Sequence, residues 1–269
     1  MSETGPRPRP PRFGEQDREL SYGSYLKVPE LLSLQHLVSD PPAHDELLFI
    51  VVHQAYELWF KQLLFELTRV RDLMLEGDAH LAKHLLERTH AIERVMIAQL
   101  PVIESMSPQD FLEFRQHLAP ASGFQSVQFR EVEFLSGVKD ERYMERLAFS
   151  DEEETRLRGR LESPSLWEGF CALLESRGLP MPPDDEDVRI ASLLQIARGR
   201  RQFAEEFYLS EALLTHDELF ALWRQHHVLM VERQIGSKTG TGGSTGASYL
   251  RTTLDKRFFP ELWDLRSYL

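Results

Sequence analysis

Cysteine is almost absent, Cys171 being the only one in the chain. This excludes an internal disulfide, a zinc ribbon and a cysteine-ligated iron–sulfur cluster. It also suits a reducing compartment, so a cytoplasmic location is expected. Long apolar runs are missing as well. The longest, Leu47 to Val52, is far short of the ~20 residues that span a bilayer, so no membrane association is expected. Met1 to Phe13 is rich in proline and arginine and carries no apolar stretch, so no signal peptide is expected. Excess positive charge is lacking too: 31 Lys and Arg stand against 43 Asp and Glu, a net charge of −12. Nucleic acid and anionic lipid both reward clustered cations, so neither is an expected partner. Strand signals are absent as well, with no sustained apolar–polar alternation and no Asn-Gly or Asp-Gly hairpin.

What remains is helical. The chain has 269 residues, 42% of them hydrophobic, enough for a core that needs no disulfide or metal staple. Leu, Glu, Arg, Gln and Ala dominate, and the apolar spacing follows the helical period almost throughout. The expected fold is all-α, a bundle of about ten or more helices. The spacing predicts helices over 45–75 (with Asp45 as N-cap and Gly77 past the end), 79–104, from Ser107-Pro108 onward, and over 124–135. Further helices are expected over 151–161, 166–176, 188–208, 217–235 and 247–256, with a proline-rich acidic loop over 178–187. Residues 1–15 read as a disordered tail and 16–269 as one all-helical domain, with 140–187 a candidate helical insertion.

Two histidines stand out because they lie in the most apolar helices. Phe49, His53 and Phe60 share one helical face. His53 reads either as a core histidine bonded to a carbonyl or carboxylate, or as a functional imidazole. Leu219, Trp223, His227 and Met230 form an apolar stripe, from which His226 points about 100° away. A neutral imidazole on such a stripe is either plain core or the proximal ligand of a haem. His80 and His84 are one turn apart, and Glu87 to His90 matches a Glu-x-x-His element. A di-iron bundle needs two such elements, and a solvated helix face is the expected reading here. The loop 236–246 holds five glycines in eleven residues. It fails both phosphate-loop patterns, with Ser237 and Thr245 where glycine is required, and reads as either a disordered loop or one that closes on a ligand. Arg115, next to Phe111 in an apolar turn, suits either an internal salt bridge or a fork for a small carboxylate.

Several blocks taken together resemble the tryptophan 2,3-dioxygenase family. They are Leu20-Ser21-Tyr22-Gly23-Ser24-Tyr25-Leu26, His44-Asp45-Glu46 leading to His53 and Glu57-Leu58-Trp59-Phe60-Lys61, and Phe114-Arg115 with Pro120-Ala121-Ser122-Gly123-Phe124-Gln125-Ser126. Glu133-Phe134-Leu135 follows, and the series closes with His227 through Gly240-Thr241-Gly242-Gly243-Ser244-Thr245-Gly246 to Tyr249-Leu250-Arg251. The resemblance implies haem b in a helical bundle and insertion of dioxygen across the indole C2–C3 bond of L-tryptophan. The product is N-formyl-L-kynurenine, the first step of tryptophan catabolism by the kynurenine pathway. It implies His227 as the iron ligand, His53 as the distal histidine bonded to the indole N–H, and Phe49 and Phe111 as pocket walls. Arg115 and Thr241 are then expected to hold the amino-acid end, and Ser122 to lie at the haem edge. Tyr22, Tyr25 and Leu26 are expected from a neighbouring subunit of a homotetramer. Some members carry tyrosine where this chain has Phe111, so no hydroxyl role is expected there.

Overall fold

Helix starts are written into the sequence by short polar side chains. Asp78, Ser107, Ser126, Ser150, Ser165 and Asp185 each accept a hydrogen bond from the backbone N–H three residues on, satisfying a donor that the first turn leaves open. The computed structural model describes residues 20–146, 150–243 and 245–269. The tail expected over 1–15 lies outside them. Among the described residues there are thirteen α-helices, two 3-10 turns and no strand.

The chain divides into two units between Leu37 and Val38. In the first, α1 (Tyr22–Leu26) and α2 (Val28–Leu31) are joined by Lys27 in the left-handed region, and Ser21 and Ser24 cap α1 reciprocally. None of the residues of α1 or α2 is buried. Tyr22 and Tyr25 are 78% and 70% exposed, with Leu26, Leu31 and Leu32 also open.

The second unit is built on three long helices, α3 (Glu46–Leu75), α4 (Ala79–Glu104) and α11 (Ala204–Ile235), with α4 packed against both of the others. Between α4 and α11 come α5 (Pro108–Leu118), a 3-10 turn (Gly123–Gln125), α6 (Val127–Ser136), α7 (Arg142–Arg146), α8 (Asp151–Glu162), α9 (Leu166–Ser176) and α10 (Glu186–Arg198). After α11 follow α12 (Ala247–Arg251), α13 (Pro260–Asp264) and a closing 3-10 turn. α6 and α9 cover α3, and α8 lies on α6. Leu63, Leu67, Leu86, Met96, Leu209 and Phe220 fill the centre and are almost wholly enclosed.

The helix expected over 188–208 is a correction. α10 ends at Gly199, where a Cβ would lie 2.8 Å from the Gln195 carbonyl oxygen and 3.1 Å from the Phe203 ring. α11 then runs without interruption from Ala204, since no Gly or Pro falls between 204 and 235. Asp45 stands at the start of α3 but does not cap it; its carboxylate is 2.6 Å from His44 Nδ1.

A polar network crosses the core. His216 is fully enclosed, with Nδ1 2.5 Å from Glu93 Oε1 and Nε2 2.9 Å from Ser136 Oγ. Asp217 Oδ2 accepts the Phe258 and Phe259 N–H groups and the Trp263 indole N–H, tying the C-terminal segment to α11. His90 lies beside this network and not on the solvated face expected from its sequence neighbours. It is 6% exposed, and its Nε2–H donates to the Ala212 carbonyl (2.9 Å). Burial, then the nearby His216, push its pKa down to about 4. The unfolded chain therefore takes up a proton below pH ~6.5 that the fold refuses until about pH 4. Stability is highest above that window and drains away as pH falls through it. His90→Gln keeps a donor for Ala212 and should flatten this slope, by up to ~3 kcal/mol in urea titrations between pH 6.5 and 4.

Candidate active site

Two adjoining cavities open between α3, α11 and the segment around Ser122. Both are lined by His53 from α3 and His227 from α11, together with Phe124, Met230 and Leu250. The first cavity extends past Phe60, Leu100, Phe129 and Trp223 to the charged trio Arg130, Glu133 and Arg224. The second extends past Phe49 and Phe111 to Arg115, Ser122 and Thr241.

The two imidazoles differ in how they are held. His53 Nδ1–H donates to the Phe49 carbonyl one turn back (2.7 Å), so Nε2 carries the lone pair. Its ring lies 4.1 Å from that of Phe49. Burial lowers its pKa, outweighing the Phe49 carbonyl and Glu57, which act in the opposite sense. His227 makes no hydrogen bond among the described residues and stacks on Trp223, with centroids 5.1 Å apart and planes 12° from parallel. Burial pushes its pKa down to about 4. It is enclosed by protein on all sides but only half-buried by surface, so its open surface faces the cavity. His226, by contrast, is exposed on the outer face of the helix. At neutral pH both cavity histidines are therefore neutral, each with a free nitrogen.

At the far end of the second cavity, Arg115 donates through its Nη2 to the Thr239 carbonyl, and no ion pair is found for it among the described residues. Thr241 Oγ1 donates to the Ala121 carbonyl (2.7 Å). The glycine-rich loop is thus pinned across the cavity mouth. Gly242 approaches so closely that a Cβ there would lie 2.6 Å from Ser122 Cβ. Gly246, at φ 64°, turns the chain into α12.

The expected residues Phe49, His53, Phe111, Arg115, Ser122, His227 and Thr241 all line these cavities. Tyr22, Tyr25 and Leu26 belong to the first unit and are exposed there. Sequence reasoning missed the charged trio. Glu133 takes Arg130 Nη1 at 2.5 Å and Arg224 Nη2 at 2.8 Å, and all three are nearly wholly buried. Arg130 and Glu133 lie three apart on α6, the spacing of an ion pair on one helix face, a signal that was available. Three buried donors around the first cavity, Arg130 Nε, Trp223 Nε1 and Arg224 Nε, have no acceptor. The Trp223 N–H lies beside the Tyr56 hydroxyl without the alignment of a hydrogen bond, and that hydroxyl donates to the Met96 carbonyl (2.8 Å). The cavity therefore suits a flat, apolar occupant with acidic substituents and a metal that takes a neutral imidazole. Haem fits these requirements. No group of three His, Cys, Asp or Glu side chains among the described residues is placed to hold a bare metal ion.

Fold and site together define an all-helical enzyme with an internal two-histidine pocket closed by a glycine-rich loop. The family model described as tryptophan 2,3-dioxygenase matches residues 12–179 and 185–269. A tryptophan 2,3-dioxygenase of a Nocardioides species is 57% identical over 263 residues, covering 96% of this chain and 97% of the relative. Those of Herpetosiphon aurantiacus and Caulobacter vibrioides are 44% and 40% identical, covering 93% and 94% of this chain and 98% and 99% of the relatives. The chain belongs to the tryptophan 2,3-dioxygenase family.

Proposed function

We propose that this protein inserts dioxygen across the C2–C3 bond of L-tryptophan to give N-formyl-L-kynurenine, as a haem-dependent cytoplasmic enzyme. The observation that carries this reading is the pair of neutral imidazoles sharing two joined cavities, with an arginine at one end and unpaired donors at the other. His227 would ligate the iron, and Arg130, Arg224 and Trp223 would meet the acidic edge of the haem. When bound, haem supplies the iron through which dioxygen reacts with the indole. Both oxygen atoms end in the product, so no external reductant is consumed in turnover.

The rest is positioning. The lone pair on His53 Nε2 accepts the indole N–H, fixing the ring, because Nδ1–H is already committed to Phe49. Phe49 and Phe111, stacked at 5.8 Å, wall the indole. Arg115 takes the substrate carboxylate by a bidentate fork, and Thr241 adds a hydroxyl to the amino-acid end. The loop excludes water once closed. Tyr22, Tyr25 and Leu26 reach a neighbour's pocket in a homotetramer; their exposure here supports that reading.

Ferrous, haem-loaded protein mixed with L-tryptophan in air should gain the absorbance of formylkynurenine; no gain refutes the activity. His53→Phe should lower kcat at least about tenfold while leaving haem bound, since one orienting hydrogen bond is lost. An unchanged rate removes His53 from the mechanism. Gly242→Ala should raise KM for L-tryptophan about tenfold through loop displacement, with the haem spectrum intact. An unchanged KM shows that the loop does not bear on the ligand.

A further inference from the structure

We infer that Trp223 is a positioning residue for the His227 imidazole, setting its rotation by ring stacking in place of a hydrogen bond; this rests on the haem reading above. A ligating imidazole must be held about its Cβ–Cγ bond for Nε2 to face the metal. Metal-bound histidines ordinarily achieve this by donating the other ring N–H to a carboxylate or carbonyl. His227 has no such partner among the described residues. What contacts its ring face is Trp223, one helical turn earlier, nearly parallel at 12° and offset at 5.1 Å.

Trp223 is itself fixed. Tyr56 meets it edge-on at 6.0 Å and 73°, and Tyr56 is tethered through its hydroxyl to the Met96 carbonyl of α4. Phe129 from α6 and Phe220 from α11 tilt against it at 5.4 and 6.1 Å. Three rings from three helices thus lock one indole, and the indole locks the imidazole. A stack fixes the plane of a ring without drawing electron density from or to its N–H. The ligand is therefore held rigidly while remaining a neutral donor.

The test compares Trp223→Phe with Trp223→Leu in the haem-loaded ferrous protein, reading the iron–histidine stretching band by resonance Raman and the rate of haem loss to an acceptor protein. Trp223→Phe keeps a ring on the imidazole and loses only the indole N–H. It should retain the wild-type band. Trp223→Leu should shift and broaden the band and lose haem about tenfold faster than Trp223→Phe, which lacks the same N–H, the scale of one lost aromatic stack. A wild-type band in Trp223→Leu overturns the inference, as does a displaced band in Trp223→Phe, which assigns the role to the N–H. Should the leucine variant not fold, Trp223→Met fills the space without a ring and reads the same way. If wild-type protein itself shows no iron–histidine band, the haem reading fails and the inference falls with it. A normal band in wild type with no change in the variants overturns the inference alone.

Discussion

Replacing His227 by alanine will abolish stable haem binding: protein reconstituted with haem and passed through a desalting column should lose its Soret band. The expectation follows from the donor set. His227 is the one imidazole of the shared cavity lining with no hydrogen bond on either nitrogen, whereas His53 has Nδ1 committed to Phe49. His226, its sequence neighbour, is exposed and lies about a third of a turn away, so it offers no replacement. Truncation leaves a cavity of imidazole size above the ring of Trp223. Added imidazole should therefore restore a Soret band in His227→Ala and leave wild-type protein unchanged. Haem retained at normal affinity by His227→Ala would remove this residue from the metal and leave the unpaired donors of Arg130, Trp223 and Arg224 as the only argument for haem.

The second large effect is expected at Arg115. Arg115→Ala should weaken L-tryptophan binding by ~2–5 kcal/mol, the cost of removing one member of a largely desolvated charge pair. That corresponds to a rise in KM of at least about 30-fold. The measurement that isolates the carboxylate is comparison with tryptamine, which lacks it. Wild-type protein should discriminate strongly against tryptamine, because binding it leaves the guanidinium with only the Thr239 carbonyl. In Arg115→Ala that discrimination should collapse. If L-tryptophan KM is unchanged, Arg115 serves only to hold the loop.

Much of the fold was legible because the caps are local. The bounds of α4 and α9 follow from Asp78 and Ser165 at their starts, and Gly77 stops α3 by adopting φ 87°. The break at Gly199 was not legible. A lone glycine inside an apolar period is weak punctuation, and what forbids a side chain there is the Gln195 carbonyl oxygen, with the Phe203 ring close behind it, contacts visible only in three dimensions. The same limit applies to His90. Its flanking Lys83, Glu87 and Arg88 suggest solvent, but the residue faces α11, where Ala212 offers its carbonyl. For the site, periodicity placed His53 and His227 on apolar faces but left their roles open; the motif blocks singled them out. The Arg130–Glu133 pair was legible as a one-turn spacing within α6, but the approach of Arg224 from α11 to the same carboxylate was not, since no local pattern reveals it.

The loop over the second cavity is fastened by side chains of Arg115 and Thr241 to the main-chain carbonyls of Thr239 and Ala121. Every residue type carries a carbonyl, so positions 239 and 121 are free to drift under mutation without unfastening the closure. The burden of heredity falls on the two donors and on Gly242. A saturation library across 236–246 should accordingly show a permissive site at 239 directly beside intolerant ones at 241 and 242.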